Sequence, residues 1–100
     1  MFDVIVKNGT VFDGTGASPT LMDIGITGDR IVALGKFSSV APTVIDASGQ
    51  VVSPGFIDLH AHSDLSFLID PFADSKLRQG VTLELVGNCG MSFCAPVTDR

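Results

Sequence analysis

The sequence predicts an all-β unit over residues 1–54 followed by an α/β unit over residues 55–100. Three observations carry that reading. No run before residue 55 repeats its apolar residues at helical spacing, while several short apolar runs alternate with turn residues. From residue 55 a strand, a helix and a second strand follow one another within about thirty residues, the length of a βαβ unit. The dipeptide Pro54-Gly55 marks the change between the two patterns.

The elements follow in order. "FDVIV" alternates at its start and then becomes apolar, and Asn8-Gly9 after it is the dipeptide favoured in two-residue hairpins, so "TVF" is expected to return as the second arm. Asp13-Gly14-Thr15-Gly16 forms a loop cluster running to Pro19. In "LMDIGIT", Met22, Ile24 and Ile26 alternate with Asp23 and Gly25. Gly28-Asp29 turns the chain into "RIVALG". "TVIDA" makes a further short strand, and Gly49-Gln50 turns into "VVSPG".

Beyond Gly55, "FIDLHAH" reads as a strand whose period of two places Asp58, His60 and His62 on one face. Ile57, Leu59 and Ala61 occupy the other, which suits a buried parallel strand backed by helices. Asp70 is a fitting helix N-cap and Pro71 a fitting first helical residue. Asp74 lies early, Lys76 and Arg78 lie late, and Gly80 stops the run, as the helix dipole and the glycine terminator require. Ala73 and Leu77 are expected to share an inward face with Phe72 nearby. "VTLELV" is the second strand, parallel to the first, and "GNCG" is the loop at its end.

Composition narrows the function. One hundred residues support one small core rather than two independent ones. The chain is 45% hydrophobic and 17% charged, which excludes disorder and suggests that it buries more surface than a free-standing domain of this size. A net charge of −5 and the lack of any basic run argue against a nucleic-acid partner. No apolar stretch approaches the roughly 20 residues that cross a bilayer, so no membrane partner is expected. "MFDVIVKNGT" has no signal-peptide pattern. Two cysteines make no disulfide framework, so reduced thiols and a cytoplasmic location are expected. Gly14-Thr15-Gly16 lacks the spacing and the strand-to-helix setting of a nucleotide loop.

Residue types at the predicted rim point to a metal. In a parallel pair the carboxyl ends of both strands meet on one side, which brings His60, His62 and Cys89 together. Imidazole and thiolate are zinc donors, and a catalytic zinc takes three protein ligands plus water. A single histidine there reads better as an ordinary polar strand end. Two at i and i+2 with a cysteine on the same rim favour the metal. Glu84 reads as a hydrogen-bonded structural residue.

The stretch "PGFIDLHAHSD" resembles the first barrel strand of the amidohydrolase superfamily. "VTLELVGNCGMS" is similar to the corresponding loop of the N-acyl-D-amino-acid deacylases (D-aminoacylases), and "KNGTVFDGTG" and "VIDASGQVVSPGFID" resemble the β-domain that flanks their barrel. The resemblance covers nearly the whole chain and about the first fifth of such an enzyme. It implies that residues 1–54 are part of a small β-sandwich, and that residues 55–100 open a (β/α)8 barrel, of about 250 residues when complete. It implies that His60 and His62 bind one metal position, and that Cys89 ligates zinc and can lie between two positions, giving one or two zinc ions. Asp58 matches the acidic residue before the histidine pair and is expected to orient an imidazole. Asp64 is expected to steady His62 or a loop, with a solvated strand end as its equal alternative. Cys94 matches no ligand position.

The activity implied is zinc-dependent hydrolysis of the amide bond of small N-acyl-D-amino acids. The general base and the remaining ligands are expected beyond residue 100, so no catalytic residue is assigned within the chain. The chain alone is expected to be inactive until the rest of the barrel, or another copy, completes it. Opening of a cyclic amide, as in hydantoinases and dihydroorotases, is the alternative activity, and the Cys89 loop argues against it. A non-catalytic metal-binding or packing piece is the alternative of another class.

Overall fold

Strand β1 (Val4–Val11) is the spine of the N-terminal sheet. Strand β2 (Thr20–Thr27) pairs with it antiparallel, and β3 (Arg30–Gly35) pairs antiparallel with β2. On its other edge β1 is joined in parallel first by β4 (Thr43–Asp46) and then by β5 (Val51–Val52). The order is β3-β2-β1-β4, with β5 continuing beside the far end of β1. The computed structural model describes residues 1–90. The chain divides into two compact units, Met1–Pro54 and Gly55–Arg100.

The expected hairpin at Asn8-Gly9 is a β-bulge. Strand β1 runs straight through it, and the register against β2 slips between Val6 and Gly9. Asn8 takes the extra position with φ +61, a left-handed conformation that asparagine tolerates. Its N–H, turned out of the ladder, donates to Asp23 Oδ1 at 2.9 Å. The same dipeptide chemistry that closes a hairpin therefore serves a bulge here, because the partner strand arrives from residues 20–27. The loop at Asp13 is as expected, with Thr15 donating to Asp13 Oδ1 through both N–H and hydroxyl.

Both faces of this sheet carry side chains that matter. Ile5 is fully buried and pairs in register with Gly25, over whose missing side chain the Phe2 ring lies. Phe2 meets Phe37 with ring centroids 5.0 Å apart. On the opposite face Val6, Ile24, Ile26, Ile31 and Leu34 line an apolar concavity of about 380 Å³. Asp23, which alternates with Met22 and Ile24 in the sequence, is buried.

In the second unit β6 (Phe56–Asp58) and β7 (Val81–Glu84) pair in parallel, as the strand–helix–strand reading requires. Asp58 stands opposite Glu84. Three expectations change. The first strand ends at Asp58, so His60 and His62 lie beyond the ladder rather than within it. The helix is one turn, α1 (Asp74–Leu77), preceded by a 3-10 turn at Ser66–Leu68. Ala73 with φ +49 interrupts the helical run, and Asp70 reaches past it to accept the Asp74 N–H at 3.1 Å. Finally, Phe72 and Leu77 are exposed, as are Ile57 and Leu59, because two strands and one helical turn leave their apolar faces uncovered. Gly80, with φ +82, ends the helical segment as predicted.

Candidate metal centre

The site is built where β6 and β7 stop. After Asp58 the two chains remain tied by Leu85 N–H donating to Asp58 O at 2.8 Å and Ala61 N–H donating to Leu85 O at 3.1 Å. Ala61 is buried, so the residue between the histidines anchors the segment and leaves both rings exposed. The β7 chain then enters a tight turn at Asn88–Gly90, entered through Gly87 with φ +82. Cys89 itself has φ +56, a conformation rarely taken by a residue with a side chain, and Asn88 Nδ2 donates back to Leu85 O at 2.8 Å.

This backbone brings the three predicted ligands together. Cys89 Sγ lies 3.4 Å from His60 Nε2, and the His60 and His62 rings are 5.1 Å apart at 62°. One ligand atom from each of His60, His62 and Cys89 falls within 4.8 Å of the others. Donors around one tetrahedral zinc stand roughly 3.3–3.6 Å apart, given its bond lengths to nitrogen and sulfur. The Cys89–His60 spacing already fits, and the residues present suit a zinc ion in donor type and reach. Cys89 is a free thiol. Cys94 lies outside the described residues.

Asp58 behaves differently from the expectation. Its Oδ1 accepts the His60 backbone N–H at 3.1 Å and its Oδ2 accepts from Lys76 Nζ at 2.6 Å, so it steadies the backbone of the ligand segment rather than an imidazole ring. Lys76 Nζ also lies 3.0 Å from Glu84 Oε1, an ion pair whose geometry falls short of a hydrogen bond. Ser63 Oγ donates to Glu84 Oε2. The Lys76 ammonium, followed by the His60 N–H, holds the Asp58 carboxyl below the usual range, and the Ser63 hydroxyl, followed by Lys76, does the same for Glu84. The two carboxylates, Asp58 foremost, raise Lys76 above the ordinary lysine value. Glu84 thus has the hydrogen-bonded role read for it. Asp64 makes no described contact with His62, and its Oδ2 is buried without a hydrogen-bond partner among the described residues.

Lys76 and Ser63 were missed. The sequence offers Lys76 only as a cation suited to a helix C-terminus, and it is the parallel pairing of Asp58 with Glu84 that sets two acids within its reach. An apolar concavity of about 410 Å³ in the same unit is lined by Pro71, Phe72, Leu77, Val81 and Leu83 among others, and includes none of the three candidate ligands. Among the described residues no helix is long and apolar enough to cross a membrane.

The chain is 45% identical over 91 residues to an N-acyl-D-glutamate deacylase of Alcaligenes xylosoxydans xylosoxydans, covering 90% of the chain and 19% of that relative. It is similar in structure to a D-aminoacylase studied for its binuclear metal centre, with a TM-score of 0.89 and 46% identity over 100% of the chain and 21% of the other. A TM-score of 0.86 and 43% identity relate it to the N-acyl-D-glutamate deacylase of Bordetella bronchiseptica complexed with zinc and a phosphonate inhibitor, over 91% of the chain and 19% of that structure. The chain spans about a fifth of the length of these relatives. The sequence pattern of the amidohydrolase family matches residues 43–99, more than half of the chain, and the chain belongs to that family.

Proposed function

We propose that this chain supplies the first metal ligands of a zinc-dependent enzyme that hydrolyses the amide bond of N-acyl-D-amino acids. The observation that carries the proposal is the meeting of His60, His62 and Cys89 within 4.8 Å at the ends of two parallel strands. A zinc-bound relative that shares the fold at 43% identity supports it. When bound, zinc supplies Lewis-acid polarisation of the carbonyl and activation of water. The chain's own part is to hold the ion: His60, His62 and Cys89 as donors, with Asp58 fixing the backbone from which His60 projects.

The same proposal gives the fold its finer meaning. Met1–Pro54 contributes strands to a small β-sandwich, and the β6–α1–β7 unit opens a (β/α)8 barrel, whose sites lie at the carboxyl ends of its strands. Further ligands and the general base come from other strands of that barrel, from the remainder of the protein or a second copy. One or two zinc ions occupy the site, and the low cysteine count favours a reducing, cytoplasmic setting.

The test uses the full-length protein, loaded with zinc and offered N-acetyl-D-glutamate and its L enantiomer. Release of free glutamate from the D form alone supports the proposal. No release from either, nor from N-acetyl-D-aspartate or an apolar N-acetyl-D-amino acid, with zinc bound, overturns the substrate assignment. Undiminished zinc binding after His60→Ala with His62→Ala overturns the metal site.

A further inference from the structure

Asp58 and Glu84 are register partners on neighbouring strands, so two carboxylates stand side by side just before the candidate ligands. Like charges so placed repel and destabilise the pairing. Lys76 of α1 resolves the conflict by contacting Asp58 Oδ2 at 2.6 Å and Glu84 Oε1 at 3.0 Å. These three side chains are one-third exposed or less, unlike the Arg78–Asp74 pair on the same helix, whose partners are 79% and 61% exposed. Surface pairs of the latter kind contribute little, whereas a partly buried cation between two acids is screened less.

The two acids are also the groups that hold the ligand segment. Asp58 receives the N–H at the start of His60-Ala61-His62, and Glu84 receives the hydroxyl of Ser63, which directly follows His62. The segment has left the strand ladder, and neither histidine is fixed by packing, since both are exposed. Its placement therefore rests on the Ala61–Leu85 bond and on these two side-chain attachments.

Resting on the metal reading above, we propose that Lys76 is a positioning residue of the metal centre. Its single ammonium joins the two acids that grip the segment on either side of the histidine pair. Without it the acids separate, and the imidazoles lose the fixed spacing to Cys89 that tight metal binding needs, a tolerance of about 0.5 Å.

The experiment compares the full-length protein with Lys76→Met and Lys76→Arg. Zinc affinity is measured by competition with a chromophoric chelator, and ligand geometry by the visible and thiolate-to-metal absorption of the cobalt(II) form. Lys76→Met is expected to weaken zinc by about tenfold or more, the usual size of losses behind metal ligands. It is also expected to change the cobalt spectrum, with Lys76→Arg restoring both. A folded Lys76→Met protein with wild-type zinc affinity and an unchanged cobalt spectrum overturns the proposal. If Lys76→Met does not fold, Lys76→Gln, which keeps a donor and loses the charge, is judged by the same two readings. Failure of the wild type itself to bind zinc refutes the metal reading and this inference with it. Zinc binding by the wild type without D-specific hydrolysis leaves the inference standing.

Discussion

Cys89 and Asp23 show how much single residues decide in this chain. Cys89 sits at φ +56 in the turn after β7, and that turn aims its sulfur at His60 Nε2. Replacing the thiolate by a hydroxyl leaves the turn intact and removes the softest donor. Cys89→Ser is expected to weaken zinc by more than about a hundredfold in chelator competition, above the 10–100-fold typical of groups that merely support ligands. Asp23 is the structural counterpart in the N-terminal sheet. The Asn8 N–H, with Lys36 and the Phe37 N–H adding to it, keeps its carboxyl below the usual range against the opposing effect of burial. A depressed carboxylate stabilises the fold fully above its unfolded value, and that contribution is lost as pH falls through the folded value. Asp23→Asn is therefore expected to lower stability at neutral pH and to flatten the acid limb of the stability profile. Urea unfolding, followed from neutral pH down through the carboxylate range, measures both effects, and an unchanged acid limb would count against the assignment.

At the scale of elements, β1 was legible as an apolar run but not as one strand. The Asn8-Gly9 pair carries a conformational preference without saying which partner arrives, and the long-range pairing with β2 decided between hairpin and bulge. Gly9 shows the physical requirement, since a side chain there would meet Val52 Cγ2 at 2.6 Å and Ala47 Cβ at 3.4 Å. Gly9→Ala is expected to cost about 1–3 kcal/mol by overpacking, and Val52→Ala in the same chain to recover part of it. Denaturant midpoints of the single and double variants test the coupling. Ile5, fully buried near the start of the same strand, sets the upper scale. Ile5→Ala is expected to cost about 2–5 kcal/mol, enough to abolish a cooperative transition in so small a sheet. The site was more legible than the elements beneath it. That His60, His62 and Cys89 lie together was legible from donor chemistry and parallel topology with the family resemblance beside them, although the strand expected to carry the histidines ends at Asp58. The helix was shorter than its caps suggested, because the left-handed Ala73 lies inside the predicted run. Lys76 stayed hidden because its role depends on the Asp58–Glu84 register, which is a tertiary fact.

For the whole molecule, the distribution of apolar surface and the supply of titratable groups point the same way. Ile57, Leu59 and Leu83 are each more than half exposed around β6 and β7, although parallel strands of this composition pack on both faces. The chain has two histidines in all, and both are committed to the candidate centre. Among the described acids near that centre, Asp58 is engaged by Lys76 and the His60 N–H, and Glu84 by Ser63 and Lys76. Both carboxylates are thus occupied by groups that hold the ligand segment. Residues 1–100 prepared alone are therefore expected to bind zinc through His60, His62 and Cys89 and to hydrolyse nothing. The measurement is zinc titration of that polypeptide beside an assay for free D-amino acid released from N-acyl-D-amino acids. Metal-dependent release above the blank would show that a base within these residues suffices and would remove the need for further strands. Zinc binding with no release, and turnover restored only when the remaining strands are supplied, places the ligands and the base on separate parts of one barrel.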